Sequence, residues 1–238
     1  MSGSVPASAT APAPMRRLDP AELPVVDRYK LLIGSVVPRP IAWVSTLDPQ
    51  GRPNLAPFSF FNAVGSNPML LTFCPANLPD GREKDTLRNA ASPAEGGTGE
   101  FTVNVVSEPQ AVAASVTAEA LPPGESEWSL GGLEPVPSER VGPARVAGAP
   151  VAFECRTERV LRFAPGEPAG SNMVVGRVVL LHVREDLLND RMHVDQEALR
   201  AVARMGGLSW CRSRDRFELP PGAAARGADD PRIPPPGH

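Results

Sequence analysis

Lys84-Asp85-Thr86 puts a cation, a capping carboxylate and a hydroxyl side by side, a grouping that can hold a phosphate. At a helix start, free backbone N–H groups and the helix dipole add to that attraction. Arg39, held extended between Pro38 and Pro40, can bring a second positive charge to the same anion. Ser45, Thr46, Ser59 and Asn62 can hydrogen-bond the edge of a flat heterocycle or a polyol chain. Phe58, Phe60 and Phe61 surround Ser59 in the chain and can close a wall behind such a ligand. Each has a plainer use. K-D-T is also the signature of an ordinary capped surface helix. Hydroxyls are common at strand ends, and phenylalanines more often build core.

Hydrolytic and metal chemistry find little support. His182 lies in an apolar strand, where it reads as a core or rim residue, His193 stands beside a helix start, and His238 is terminal. No Gly-x-Ser-x-Gly elbow, Walker loop or dinucleotide fingerprint accompanies them. Cys74, Cys155 and Cys211 are far apart, with no Cys-x-x-Cys spacing to suggest a metal, and fit a reducing cytoplasm. A chain without acid/base apparatus can still catalyse if a cofactor performs the hard step. Net charge is −3 over 238 residues, so no global basic field invites nucleic acid. No stretch reaches the length of a membrane span, and the start of the chain lacks the apolar core of a secretory signal. The expectation is a soluble cytoplasmic protein.

The elements that must position these residues are mostly strands. Ile41–Thr46 is apolar and β-branched; Leu47–Gly51 makes a turn in which Pro49 presets one φ and Gly51 supplies a positive one. A second strand runs from Asn54 through Pro57 to Asn62, with Pro57 marking an edge or bulge. Ala63–Pro68 reads as a turn, and Met69–Cys74 has the length of a buried strand. A helical turn opens near Asp85 or Thr86. Glu100–Val106, Pro150–Leu161 and Asn172–Val183 are further strands, the last bent or bulged at Gly176. Leu18–Tyr29 suits a short helix or ordered arm capped by Asp19, and Gln110–Ala120 a helix stopped by Pro122-Pro123-Gly124. Trp128–Arg145 is rich in Pro and Gly and reads as an irregular surface excursion; Asp195 starts another helix before the Gly206-Gly207 loop. Ala- and Pro-rich ends, 1–16 and 220–238, read as disordered tails around one domain at 17–219. At least six short strands without regular βαβ alternation predict a mainly β antiparallel barrel with a few peripheral helices.

YKLLIGSVVPRPIAWVST, NLAPFSFFNAVGSNP, KDT, FTVNVV and RMGG, in that order over residues 18 to 215, resemble the flavin reductase-like family of FMN-binding split β-barrels. The resemblance implies a homodimer with FMN near the subunit interface and NADH or NADPH as hydride donor. It implies that Pro38, Arg39, Pro40, Ser45 and Thr46 line the flavin and its side chain. Ala56, Pro57, Phe58 and Ser59 would follow the ring edge, with Phe61 and Asn62 nearby. Lys84 and Thr86 would hold the phosphate, Asp85 ordering that loop. Arg204, Met205, Gly206 and Gly207 would sit by the outer flavin face, where a nicotinamide can stack. Trp210 stands where the family often has Tyr. No side chain is implied as catalytic acid, base or nucleophile. The resemblance leaves open a flavin reductase, a flavoredoxin-like electron carrier and an oxygenase acting directly on a small organic substrate. A monooxygenase or other electron acceptor is the implied partner of the first.

Overall fold

The computed structural model describes residues 13–121 and 126–227. Most of the two expected tails, and the Pro122-Pro123-Gly124 stop, lie outside these. The strands are β1 (Arg39–Pro40), β2 (Ala42–Leu47), β3 (Pro53–Phe58), β4 (Phe61–Ser66), β5 (Met69–Phe73), β6 (Glu100–Val105), β7 (Pro135–Val136), β8 (Arg145–Val146), β9 (Val151–Arg162), β10 (Asn172–Val183), β11 (Val202–Arg204) and β12 (Trp210–Arg212). The α-helices are α1 (Val25–Ser35), α2 (Asp85–Ala90), α3 (Ala111–Val116), α4 (Glu127–Leu130) and α5 (Gln196–Leu199).

Seven strands form one antiparallel sheet in the order β3-β2-β6-β9-β10-β5-β4. Its two edges, β3 and β4, are consecutive in the chain and joined only by Ser59 and Phe60. So short a link spans no more than about 11 Å. The sheet therefore curls until its edges converge at that corner, which makes it a barrel open along one seam. β1, β11 and β12 pair as a separate three-stranded sheet.

β2 is buried on both faces, which explains its near-continuous apolar run. Ala42 and Val44 face a cluster with Phe58, Phe73, Phe101 and Val103, to which α2 adds Leu87 and Ala90. Phe73 bridges Phe58 and Phe101, at ring centroid distances of 5.3 and 5.2 Å. Trp43, on the opposite face, packs with Leu55, Trp128 and Val202, and its Nε1 donates to Thr117 Oγ1 at 2.8 Å.

Several expectations change. The strand from Asn54 does not continue to Asn62: it ends at Phe58, and β4 begins at Phe61 after the corner. Ala63–Pro68 is mostly strand, pairing with β5 through a bulge between Ala63 and Gly65. The arm at Leu18–Tyr29 is a 3-10 turn capped by Asp19 followed by α1, which runs on to Ser35. Trp128–Arg145 is not merely a surface excursion, because Trp128 is buried and the segment carries α4 and β7. The Gly176 bulge is present, and a side chain there would fall on the Phe101 ring.

Candidate functional site

Lys84 is the N-cap residue of α2, a helix of six residues. Among the described residues its amine makes no hydrogen bond or ion pair; it stands 5.8 Å from the centroid of the Phe58 ring. The side chain is exposed in outline, yet surrounding atoms strip part of its hydration and pull its pKa below the usual lysine value. An unpaired, partly desolvated cation of this kind gains more from an incoming anion than a fully hydrated one. Glu83, the preceding residue, is anchored by Arg162 of β9 at 2.5 Å, and Arg162 also holds Glu95 at 2.7 Å. These ties fix the approach to α2. Asp85 pairs with Arg88 one turn on.

Thr86 and Thr46, expected to face a ligand, face each other's neighbours instead. Both are buried. Asn54 Nδ2 donates to Thr86 Oγ1 at 2.9 Å and to Thr46 Oγ1 at 3.2 Å, and Asn89 Nδ2 donates to Thr46 Oγ1 at 3.1 Å. Each threonine oxygen thus accepts from an internal amide. The two threonines, with Asn54 and Asn89, form the floor under α2. Ser45 and Thr46, read as neighbours on one ligand, point apart because successive strand residues face opposite sides of the sheet. Ser45 Oγ is buried and has no hydrogen-bond partner among the described residues.

Arg39 acts as an internal clamp. It is 4% exposed. Its Nη1 donates to the carbonyls of Ile33 and Val36 at 2.5 and 3.0 Å, its Nη2 to that of Met205 at 2.9 Å, and its Nε to Ser59 Oγ at 3.3 Å. The guanidinium therefore joins the end of α1, the β3–β4 corner and the turn after β11, with the Phe60 ring 6.0 Å away. That turn, Met205–Ser209, closes through Met205 N–H to Ser209 O at 2.9 Å, and Gly207 takes a φ of +59° that suits glycine. Arg204 binds Gly207 O at 2.6 Å and lies 5.2 Å from the Trp210 ring.

The structure brings Lys84, Phe58, Ser59, Arg39 and Met205 into one strip across the barrel corner. Ala56, Pro57 and Ser59 are half-buried along it, Pro38 and Pro40 are exposed, and Gly206 is half-buried. The Phe58 and Phe61 rings belong to the core, so only Phe60 turns toward Arg39. Asn62 is exposed and its Oδ1 accepts from the next residue's N–H.

Three polar residues escaped the sequence reading. Asn54 is one. Glu127 is another: its Oε2 accepts from Leu55 N–H at 3.2 Å, and burial, with Asp85 nearby, pushes its carboxyl pKa up. Glu154 is the third, fully buried on β9, with His182 Nε2 at 2.6 Å and the N–H groups of Glu139 and Arg140 at 2.9 and 2.6 Å. Those contacts outweigh desolvation and hold its pKa below the usual value. A polar residue at an inward position of a period-two strand was the available signal at Asn54; Glu154, between the core-facing Phe153 and Cys155, takes the polar position of its strand's alternation and gave none.

The sequence profile described as "Flavin reductase like domain" matches residues 33–218. Nitrilotriacetate monooxygenase component B from Bacillus cereus is 36% identical, with a TM-score of 0.80 over 87% of this chain and 100% of that one. The 2-nitrobenzoate 2-nitroreductase NbaA from Pseudomonas fluorescens is 30% identical, with a TM-score of 0.76 over 87% of this chain and 97% of its own. A protein with a split barrel domain from Shewanella frigidimarina shares the fold at 20% identity, with a TM-score of 0.69 over 85% and 96% of the two chains.

Proposed function

The chain belongs to the flavin reductase-like family, and from that membership we propose that it binds FMN and transfers a hydride to it from NADH or NADPH. The observation that carries the reading is Lys84: a partly desolvated ammonium with no hydrogen bond or ion pair among the described residues, at the end of a strip whose other side chains are held in place. The residues fit the group. Lys84 offers charge to a phosphate, the Ala56–Ser59 segment offers a half-buried edge for a flat ring, and the Met205–Ser209 turn stands beyond it.

FMN supplies the redox chemistry when bound, taking up a hydride and passing the electrons on. The chain's share is to place and shield. Lys84 neutralises the phosphate. Because α2 is only six residues long, this cation counts for more than the helix dipole. Asn54, Asn89, Thr46 and Thr86 fix α2 against the β2–β3 hairpin and so hold Lys84 at its height above Phe58. Ser59 and the neighbouring backbone border the ring edge. Arg39 holds the Met205–Gly206 turn where a nicotinamide can stack. Pro38, Pro40, Phe61 and Asn62 frame the same corner.

In this reading two copies pair. Support comes from the exposed Val25, Val26, Tyr29 and Leu32 on α1 and from β4, whose outer edge carries no sheet partner among the described residues. The Bacillus cereus relative is named as a monooxygenase component, which favours a monooxygenase as recipient of the reduced flavin. A second reading is direct reduction of a small organic substrate, favoured by the relative named as a nitroreductase.

The test is anaerobic: protein loaded with FMN is mixed with NADH or NADPH and the visible flavin absorbance followed. Bleaching by either nicotinamide is expected; a flavin that stays oxidised with both removes the proposal. Consumption of a nitroaromatic by the reduced protein, with no flavin released, would favour the second reading.

A further inference from the structure

Away from Lys84, a solvent-open cavity of about 380 Å³ lies at the base of the β11–β12 hairpin. Val202 and Trp210 form its apolar wall from the hairpin, and Pro109 and Ala111 close it from the loop after β6 and the first residue of α3. Arg200, Arg212 and Glu108 line its polar side. Its size falls within the range of small-ligand sites, about 300–1,000 Å³.

The charges there do not balance. Glu108 is met by Arg200 at 3.1 Å, Arg212 at 3.3 Å and Arg214 at 2.8 Å, three guanidinium groups on one carboxylate. The carboxylate is largely covered, at 13% side-chain exposure, whereas the arginine side chains are 47%, 70% and 45% exposed. Each guanidinium carries five N–H donors in a planar fork, so one shared carboxylate leaves capacity for a further anion. Converging arginines beside an aromatic wall suit a phosphate monoester attached to a base, where the fork meets the oxygens and the ring meets the base.

The position on the hairpin narrows the ligand. Register pairs Val202 with Arg212 and Arg204 with Trp210, so these four side chains share one face. The same hairpin ends in the Met205–Ser209 turn that Arg39 ties to Ser59. From the turn to the far end of the cavity, at Val202 and Arg212, is three strand residues, roughly 10 Å. The ribose–pyrophosphate–ribose linker of a dinucleotide covers that span.

We propose that this cavity receives the phosphorylated adenosine end of NADPH, its 2′-phosphate held by Arg200, Arg212 and Arg214 while the nicotinamide reaches the turn beside Ser59. The inference rests on the hydride-transfer reading above. It assigns these arginines a preference for NADPH over NADH, because only NADPH carries the additional dianion.

The test uses the full chain loaded with FMN. Adenosine 2′,5′-bisphosphate, 5′-AMP and inorganic phosphate are titrated by calorimetry against the unaltered protein and the double variant Arg212→Gln/Arg214→Gln. Both residues are surface-exposed, and a melting curve confirms that the variant is folded. The bisphosphate should bind more tightly than 5′-AMP or phosphate, and the double variant should lose about tenfold or more of that affinity. The ratio of kcat/KM for NADPH to that for NADH should fall by a similar factor, carried by KM for NADPH. Equal binding of the two nucleotides, or a ratio unmoved by the double variant, would overturn the proposal. Failure of both nicotinamides to reduce the flavin in the unaltered protein would overturn the hydride-transfer reading, and the NADPH assignment with it. The bisphosphate titration, which needs no turnover, tells the two failures apart.

Discussion

Asn54 Nδ2 lies 2.9 Å from Thr86 Oγ1, across thirty-two residues of sequence, and the same amide reaches Thr46 Oγ1 at 3.2 Å. One buried side chain therefore fastens the β2–β3 hairpin to the first turn of α2, next to Lys84. Removing it leaves the Thr86 hydroxyl without its donor, Thr46 with Asn89 alone, and a gap beneath the helix. Asn54→Ala should cost about 2 kcal/mol of stability in urea unfolding. FMN affinity should drop as well, since Lys84 loses its support. A variant with an unchanged midpoint would show the network to be idle.

Lys84→Ala should weaken FMN binding by about 10- to 100-fold, the loss of one charge-assisted contact. Riboflavin, which lacks the phosphate, should bind the variant as it binds the parent. Lys84→Arg should keep most of the FMN affinity. Fluorescence titration of both flavins reads all three.

The same lysine predicts a pH dependence. Desolvation lowers its pKa, so the amine loses its proton at a pH below the ordinary lysine value of about 10.4. An anion binds the charged form. FMN affinity should therefore be greatest below the lowered pKa and decline as pH rises through it. In Lys84→Arg, whose guanidinium keeps its proton throughout, the alkaline decline should flatten. A decline of the same size in both proteins would assign it to another group.

Glu154 is a buried carboxylate whose partners favour its ionised form, so its folded pKa lies below the unfolded value of about 4.3. Its stabilising contribution is complete above that unfolded value and disappears as pH falls through the folded one. Glu154→Ala strands His182 and the N–H groups of Glu139 and Arg140, at a cost of about 3 kcal/mol at neutral pH. The variant's unfolding midpoint should also vary less between pH 5 and the acid limb than the parent's, by about the same mechanism. Denaturant titrations across that range would check both outcomes.

Gly176→Ala should destabilise the barrel by about 1–3 kcal/mol, because a methyl group there falls on the Phe101 ring, which is fully buried. Phe101→Leu in the same background should recover part of the loss by giving up ring volume. Thermal melts of the single and double variants measure the coupling.

Local chemistry made much of this legible in the chain. Alternation over Pro150–Leu161 and the apolar run Asn172–Val183 announce β9 and β10, and Gly176 announces their bulge. Asp195 caps α5 through Glu197 and Ala198, as its side chain dictates. Lys84-Asp85-Thr86 marks a helix start because such preferences belong to consecutive residues, although no side chain caps α2: Lys84 takes the N-cap position and Asp85 pairs with Arg88. By contrast, Ser59 and Phe60 read as strand, since nothing local says that β3 and β4 occupy opposite edges of one sheet and must turn there.

What the sequence determined alone was thus the strands β2, β5, β6, β9 and β10, the Asp19 and Asp195 caps and the cation at 84, all governed by neighbours within a turn or a hairpin. Tertiary structure decided which polar groups remain available. It spent Arg39 on Met205, 166 residues away, closed Glu154 on His182 across 28, and turned Thr46 and Thr86 inward onto Asn54. Each of those pairings follows from strand order and sheet curl, and a buried polar group takes whichever partner that geometry brings within reach, because leaving it unpaired costs more.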